Sequence, residues 1–240
     1  MTLSATDITV RFAGISAIDS VSVTLTGDEV FGLIGPNGAG KTTMINVLSG
    51  FQRPTVGQVL MDGRPCAGRP PAWLAGNGVV RTFQAVRLFR GLTVSENIEA
   101  ALSSLGVGRM AARRRAGDLL RYMGIAPMAD LPANALNYGD ERRVGIARAL
   151  ALDPKYLLLD EPAAGMNIGE AEALSLLIKR IRTDFACGIL VVEHNMALVM
   201  NTCDRLQVMA SGRTIAHGTP AEVLADPQFK AAYLGSQAAA

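Results

Sequence analysis

The chain has 240 residues, a net charge of +2, a pI of about 8.5 and a mean hydropathy of +0.25. This length suits a single domain with a sizeable core, and the small net charge argues against a polyanion-binding role for the chain as a whole. Its apolar runs are far shorter than the roughly 20 residues of a membrane-spanning helix, and the first ten residues do not resemble a secretory signal. We therefore expect any membrane association to depend on a partner protein.

Three cysteines are spread widely along the sequence, at Cys66, Cys187 and Cys203. An odd number of distant cysteines favours reduced cytosolic thiols over a disulfide or a metal site.

Strands predominate at the beginning of the chain. We expect them in three segments rich in Val, Ile and Thr, at residues 3–11, 20–25 and 30–34. The third strand runs into a glycine-rich turn at 35–40, and a helix is expected to follow from 41 to about 48. A further strand at 56–61 precedes Asp62 and Gly63, a pair that is typical of a hairpin turn.

The middle of the chain, from about 85 to 137, is predicted to be helical. Thr93 and Glu96 have the spacing of a capping box and open one helix, and residues 109–122 form another. Three consecutive arginines at 113–115 favour a solvated helix face over a patch for anionic lipid or a partner.

The remainder alternates helices with strands. We expect helices at 141–152 and 168–182, buried strands at 156–160 and 189–192, and a final hairpin from 205–209 and 213–217. Such alternation predicts a mostly parallel sheet with helices on its faces.

A glycine-rich motif lies between the third strand and the first helix. It consists of Gly35, Pro36, Asn37, Gly38, Ala39, Gly40, Lys41 and Thr42, and Thr43 follows it. The glycines let backbone N–H groups turn towards phosphate oxygens at the start of a helix. Lys41 would reach the β- and γ-phosphates, and the hydroxyl of Thr42 would bind Mg²⁺. The strand–loop–helix context favours nucleotide binding over a simple glycine turn.

Two carboxylates end the strand at 156–160. Parallel strands bring their carboxyl ends to one edge of the sheet, so Asp160 and Glu161 should lie near the glycine-rich loop. Asp160 would hold Mg²⁺ through a water molecule, and Glu161 would polarise an attacking water.

His194 follows the next buried strand at the same edge. A structural histidine is the common alternative, but this position favours a contact with the γ-phosphate. We assign His217, in the final hairpin, a structural role.

Together with Gln84 and residues 136–140 (Leu136, Asn137, Tyr138, Gly139 and Asp140), these motifs resemble the ATP-binding-cassette ATPase family over nearly the whole chain. The resemblance implies an α/β fold. Its parts are a P-loop NTPase core with a mostly parallel sheet, an N-terminal antiparallel β subdomain and a helical subdomain. Residues 1–84 and 140–240 would form the nucleotide-binding core, and 85–139 the helical subdomain carrying the signature segment.

The resemblance also implies roles for individual residues. Phe12 would stack on adenine, although a core position is the alternative for it. Gln84 would sense Mg²⁺ and the attacking water, and Asn137 and Gly139 would bind the γ-phosphate of ATP held by a partner subunit. The loop 163–167 would cross to that partner.

The signature segment departs from the family pattern at three positions. Asn137 replaces the usual serine, Tyr138 the first glycine and Asp140 the glutamine. The Asn137 amide retains a donor for phosphate, whereas the Asp140 carboxylate repels phosphate locally.

Four stretches, at residues 81–89, 138–143, 160–165 and 216–220, are similar to the ATP-binding subunits of branched-chain amino-acid importers. This implies a peripheral protein on the cytoplasmic face of the inner membrane that uses ATP and Mg²⁺. Its partners would be a second identical or paralogous ATPase subunit, transmembrane permease subunits and, indirectly, a periplasmic solute-binding protein.

Four alternatives remain to the importer of branched-chain amino acids. A lipopolysaccharide exporter and a urea or short-amide importer have similar sequences. A non-transport role on nucleic acid or ribosomes is disfavoured by the small net charge and by the single cassette. A regulatory module without turnover is disfavoured because Glu161 and His194 are both present.

Overall fold

The computed structural model describes residues 1–234, so 235–240, part of the predicted core range, lie outside the described residues. The strands are β1 (Thr2–Phe12), β2 (Ile15–Thr26), β3 (Val30–Ile34), β4 (Val56–Met61), β5 (Arg64–Pro65), β6 (Val79–Arg81), β7 (Tyr156–Asp160), β8 (Gly188–Glu193), β9 (Arg205–Ala210) and β10 (Arg213–Gly218). The helices are α1 (Lys41–Leu48), α2 (Pro71–Gly76), α3 (Val94–Ser104), α4 (Arg109–Tyr122), α5 (Tyr138–Leu150), α6 (Ile168–Phe185), α7 (Met196–Thr202), α8 (Pro220–Ala225) and α9 (Pro227–Leu234).

The strands form two sheets. An antiparallel sheet has the order β2-β1-β4-β5, and a second sheet has the order β10-β9-β3-β8-β7-β6. In the second sheet every neighbouring pair is parallel except β9 and β10. The predicted fold class, a mostly parallel sheet accompanied by an antiparallel β unit and helices, is confirmed.

The central strands are buried on both faces because alternate side chains enter two different core layers. Leu158 and Leu190 pack with α1 and the antiparallel sheet. Leu157, Leu159 and Ile189 pack on the other face with helices α3 to α7. The helical segment between 85 and 139 therefore shares one core with the parallel sheet.

Several element boundaries differ from the predictions. β2 begins at Ile15 rather than 20, since Ala13 and Gly14 both have positive φ and make a tight turn. α5 begins at Tyr138 rather than 141 because Asn137 caps it. The sequence analysis missed α2, β6, α7, α8 and α9, which are short elements of three to eight residues.

Two groups of residues considered in the sequence analysis, the arginine run on α4 and the cysteines, differ in exposure. Arg113 and Arg114 are exposed, as expected of a solvated helix face. All three cysteines are buried free thiols. None of the helices within residues 1–234 has the length and apolarity needed to cross a membrane.

Candidate functional site

The carboxyl ends of four parallel strands meet at one edge of the larger sheet. Ile34 at the end of β3 pairs with Glu193 at the end of β8. Asp160 at the end of β7 pairs with Val192, and Arg81 at the end of β6 pairs with Leu158. The loops that follow these strands carry the predicted site residues, and the parallel topology gathers them here.

The glycine-rich loop has its shape because the backbone passes close to other strands. A Cβ atom on Gly35 would lie 2.1 Å from the carbonyl oxygen of Met209, and one on Gly40 would lie 2.7 Å from that of Ala17. Gly40 also has a φ of 101° and is the N-cap of α1. Only glycine fits at these two positions. The first-turn N–H groups of α1 consequently face the loop.

Lys41 is 5% exposed and folds back over the loop. Its Nζ donates to the carbonyl oxygens of Gly35 at 2.6 Å and Pro36 at 3.0 Å. Burial lowers the pKa of Lys41, and the nearby carboxylates of Glu161, Asp160 and Glu193 partly offset this shift.

The loop opens into a polar cleft of about 170 Å³. Its lining residues are Ala17, Asn37, Gly38, Ala39, Gly40, Lys41, Thr42, Thr43 and Glu161. The structure thus places seven predicted phosphate-binding residues, 37–43, and the predicted general base around one cavity. Gly35 and Pro36, also predicted, do not line it.

Glu161 is the centre of a polar cluster at the mouth of this cleft. Gln84 Nε2 donates to Glu161 Oε2 at 2.7 Å, and His194 Nδ1 lies 3.9 Å from Glu161 Oε1. Glu161 has a φ of 46°, which is strained for a residue with a side chain, and its N–H donates to the carbonyl of Val192 at 2.9 Å.

Asp160 has a different neighbour. Its Oδ2 accepts from Nη2 of Arg81 at 2.8 Å, and the two side chains are 8% and 6% exposed. The sequence analysis did not single out Arg81, although it is the last residue of a strand adjacent to β7.

The donor set of the site fits Mg²⁺. Thr42, Gln84 and Asp160 offer hydroxyl, amide and carboxylate oxygens, the ligands preferred by a hard cation. Among residues 1–234 no group of three or more His, Cys, Asp or Glu side chains is arranged to hold a metal by itself. An ion that takes most of its remaining ligands from phosphate and water suits this arrangement.

The sequence analysis also missed a role for Glu193, which is fully buried at the end of β8. Its carboxylate accepts from the N–H groups of Ala163 at 2.7 Å, His194 at 3.0 Å and Asn195 at 3.2 Å. It thereby fixes the loop that carries His194 to the segment that follows Glu161. The sequence does contain a signal for this role, because a glutamate at the end of an otherwise apolar strand is unusual and needs hydrogen-bond partners.

The residues predicted to form the signature segment lie away from the polar cleft beside the glycine-rich loop. Asn137 is the N-cap of α5: its Oδ1 accepts from Asp140 N at 2.9 Å, and its Nδ2 donates to Asp140 Oδ2 at 2.7 Å. Gly139 was expected to precede this helix and instead lies in its first turn. Asn137 and Gly139 line a separate groove of about 490 Å³ with Met166 and Glu170.

Tyr138 connects the start of α5 to the loop 163–167. Its hydroxyl accepts a hydrogen bond from Arg142, whose guanidinium lies 4.9 Å from the ring centroid. A Cβ atom on Gly165 would lie 3.3 Å from the same ring. The tyrosine therefore fills space between the signature segment and the loop predicted to reach a partner.

Phe12 and His217 are the remaining residues for which a role was predicted from the sequence. Phe12 is 48% exposed at the end of β1, so the core alternative for it is wrong. It does not line the polar cleft beside the glycine-rich loop. His217 is exposed on β10 and belongs to neither groove nor cleft described above.

Comparison with known proteins identifies families and individual proteins to which the chain is similar. The ABC transporter family model matches residues 18–164, and the model for branched-chain amino acid ATP-binding cassette transporters matches residues 213–239. The chain is 41% identical to the high-affinity branched-chain amino acid transport ATP-binding protein LivG of Escherichia coli, with 97% of each chain covered. It is 35% identical to the lipopolysaccharide export system ATP-binding protein LptB of Escherichia coli, covering 98% of this chain and 97% of LptB.

Among solved structures, a nucleotide-free ATP-binding cassette from an ABC transporter superposes with a TM-score of 0.88. It is 30% identical and covers 97% of this chain and 99% of the other.

Proposed function

The chain belongs to the ABC transporter family, and we propose that it is the ATP-hydrolysing subunit that powers import of branched-chain or similar hydrophobic amino acids. The observation that carries the ATPase assignment is the position of Glu161 across one cleft from the glycine-rich loop. The solute class rests on the likeness to LivG and on the matching C-terminal segment.

We assign ATP to the cleft beside α1. The loop N–H groups and Lys41 would bind the β- and γ-phosphates, with the lysine exchanging its carbonyl partners for phosphate oxygens. Thr42 and Thr43 lie at the same cleft. The exposed ring of Phe12 is free to stack on adenine.

In hydrolysis, Glu161 would accept a proton from water as the water oxygen attacks the γ-phosphorus and the bond to the ADP oxygen breaks. Gln84, which contacts the same carboxylate, would orient that water, and His194 would donate to the γ-phosphate. Thr42, Asp160 and Gln84 would hold Mg²⁺, which supplies charge neutralisation at the phosphates.

The separation of Asn137 and Gly139 from the chain's own cleft supports a dimeric mechanism. In a head-to-tail pair, identical or paralogous, the α5 N-terminus of one subunit would cover the γ-phosphate on the other. The loop 163–167, braced by Tyr138, would approach the same interface.

A second groove offers a docking position for a permease. It has a volume of about 370 Å³ and is lined mainly by apolar groups, including Phe83, Val86, Ala101, Ile146 and Leu152. It lies between the loop that carries Gln84 and helices α3 and α5. A permease segment seated here would place the chain at the cytoplasmic face of the inner membrane, with a periplasmic solute-binding protein on the other side.

The alternatives carry less support. The exporter relative is 35% identical against 41% for the importer relative, and the branched-chain model matches this chain's C-terminal segment. No observation favours a urea or amide solute or a nucleic-acid partner.

Reconstitution with the cognate permeases and binding protein in liposomes tests the proposal. We expect ATP-dependent uptake of labelled leucine, isoleucine or valine, and loss of uptake with Glu161→Gln. Uptake of urea instead, or extraction of lipopolysaccharide by a complex that takes up no amino acid, would overturn the solute class. An absence of phosphate release from Mg²⁺–ATP by the assembled complex would overturn the ATPase mechanism.

A further inference from the structure

Arg81 is a buried cation that ties three parts of the site together. Its Nη2 is paired with Asp160 at 2.8 Å. Its Nη1 donates to Asn46 Oδ1 at 2.5 Å and to Ser49 Oγ at 3.2 Å, at the end of α1. A buried charge persists only with such partners. The Asp160 carboxylate is therefore held to the helix that begins at the phosphate loop.

Two aromatic rings lie against the same guanidinium. Its central carbon is 5.0 Å from the Phe83 ring centroid and 5.6 Å from that of Phe51, and the rings meet edge to face at 5.4 Å. Cation–π attraction is strong at desolvated positions. Movement of the Phe83 ring therefore changes the packing of Arg81.

The Arg81 cluster carries a cost that an apolar residue would avoid. Arg81 Nε is buried and has no hydrogen-bond partner within the described part of the chain. An unsatisfied buried donor is unfavourable for stability, and local violations of this kind are typical of functional positions.

Phe83 and Arg81 also form part of the wall of the 370 Å³ groove described above. A continuous series of contacts thus runs from the groove to Asp160, a proposed Mg²⁺ ligand. Phe83 lines the groove and packs against Arg81, and Arg81 is paired with Asp160. No residue of the phosphate loop intervenes in it.

We propose that Arg81 is a positioning residue that sets the orientation of the Asp160 carboxylate and transmits to it the occupancy of the groove beside Phe83. The occupant of the groove and the metal role of Asp160 rest on the proposed function. Arg81 and a divalent cation are rival partners for one carboxylate, so a shift of Arg81 alters how strongly Asp160 attracts the cation.

The test compares binding of a fluorescent ATP analogue with and without Mg²⁺, using the full chain. The measured quantity is the Mg²⁺-dependent gain in affinity, accompanied by the melting temperature without nucleotide and the turnover number. For Arg81→Gln we expect the gain to rise at least threefold, because Asp160 loses its competing cation, and turnover to fall at least tenfold. For Arg81→Lys, which retains the charge but lacks the planar fork, we expect the gain to return to the parent value while turnover stays reduced.

Arg87→Gln is the matched control. Arg87 is exposed and lies 4.8 Å from the same Phe83 ring, but it is not paired with Asp160. We expect its Mg²⁺-dependent gain to equal that of the parent. Phe83→Leu, which removes the ring but keeps an apolar side chain, should shift the gain in the same direction as Arg81→Gln by a smaller factor.

The outcomes separate the possibilities. If Arg81→Gln only lowers the melting temperature and leaves the gain unchanged, Arg81 is a structural ion-pair partner and the inference is wrong. If Phe83→Leu leaves the gain unchanged, transmission from the groove is wrong. Should Arg81→Gln fail to fold, Arg81→Lys turning over like the parent would reject the positioning role. If the parent itself binds no nucleotide, the proposed function fails instead.

Discussion

Gln84 reaches Glu161 from the loop after β6, and its Nε2 lies 2.7 Å from Oε2 at the end of β7. Gln84 belongs to the loop whose neighbouring residues Phe83 and Val86 line the apolar groove, so the contact joins this loop to the carboxylate beside the glycine-rich loop. The amide thus occupies one oxygen of Glu161, the proposed general base, and the other oxygen faces His194 at 3.9 Å. Any change that moves the loop carrying Gln84 must also move a contact of Glu161.

We expect Glu161→Gln to bind ATP normally and to hydrolyse it about 10² to 10⁴ times more slowly, because the amide keeps the shape and cannot accept the proton. ATP-bound dimers should accumulate. Phosphate release measures the rate of hydrolysis, and size-exclusion chromatography in ATP measures the fraction of dimer. Glu172→Gln, an exposed position on α6, is the control and should behave as the parent. Normal turnover by Glu161→Gln would assign the base to another residue.

Lys41→Ala should lose ATP binding, because the phosphates lose their main fixed counter-charge. Calorimetric titration with ATP provides the measurement. Lys179→Ala removes an exposed lysine and should leave the affinity unaltered. An affinity within a few-fold of the parent for Lys41→Ala would contradict the assignment of the phosphate loop.

Two glycines of the same loop should respond differently to alanine. A Cβ on Gly35 would collide with the Met209 carbonyl oxygen at 2.1 Å, so Gly35→Ala should cost about 3 kcal/mol or more of unfolding free energy. Gly38 has open space and a φ of 80°, so Gly38→Ala should cost only the left-handed backbone strain of about 1–2 kcal/mol. Urea titrations measure the unfolding free energy of both variants. Equal losses of unfolding free energy would contradict the prediction and show that the loop is free to move away from Met209.

The parts of the fold and of the candidate site that could be predicted from the sequence are those whose signal lies in residues close together along the chain. The phosphate loop and Glu161 stand beside strands recognisable from their apolar runs, so the parallel topology alone predicts that they meet. Asn137 as a helix cap follows from its residue type. The Arg81–Asp160 pair depends on β6, a strand of three residues with too little pattern for periodicity to detect. Tyr138 contacts Gly165 across 27 positions of chain, which local pattern does not report.

The three thiols should be inert in the native protein. Burial raises the pKa of Cys66, that of Cys187 to about 11 and that of Cys203 to about 12. At pH 8 a thiol with a pKa of about 11 is only about one-thousandth ionised, and the thiolate is the reactive form. We expect a colorimetric disulfide reagent to modify none of the three without denaturant and all three in denaturant. Rapid modification of one thiol in the native state would reveal local opening around it.

The last prediction concerns Asn137, which caps α5 through Asp140 N. Asn137→Ala removes the cap at a typical cost of about 1 kcal/mol, which for a chain of this size lowers the melting temperature by roughly 2–4 °C. Asn137→Ser should keep most of that stability, since serine is also a good cap. In the proposed dimer the same side chain also donates to the partner's γ-phosphate, and serine can supply this donor too.

We therefore expect Asn137→Ala to lower the dimer fraction at saturating ATP, and Asn137→Ser to retain it. Thr219→Ala removes the cap of α8, far along the chain from the signature segment, and controls for the loss of a cap alone. It should lower the melting temperature without altering dimerisation. Size-exclusion chromatography over a range of ATP concentrations, at temperatures where every variant is folded, separates helix capping from contact with the partner's γ-phosphate. If Asn137→Ala loses stability and still dimerises like the parent, Asn137 is only a cap. Recognition of the γ-phosphate then rests on Gly139 and the backbone N–H groups of the first turn of α5.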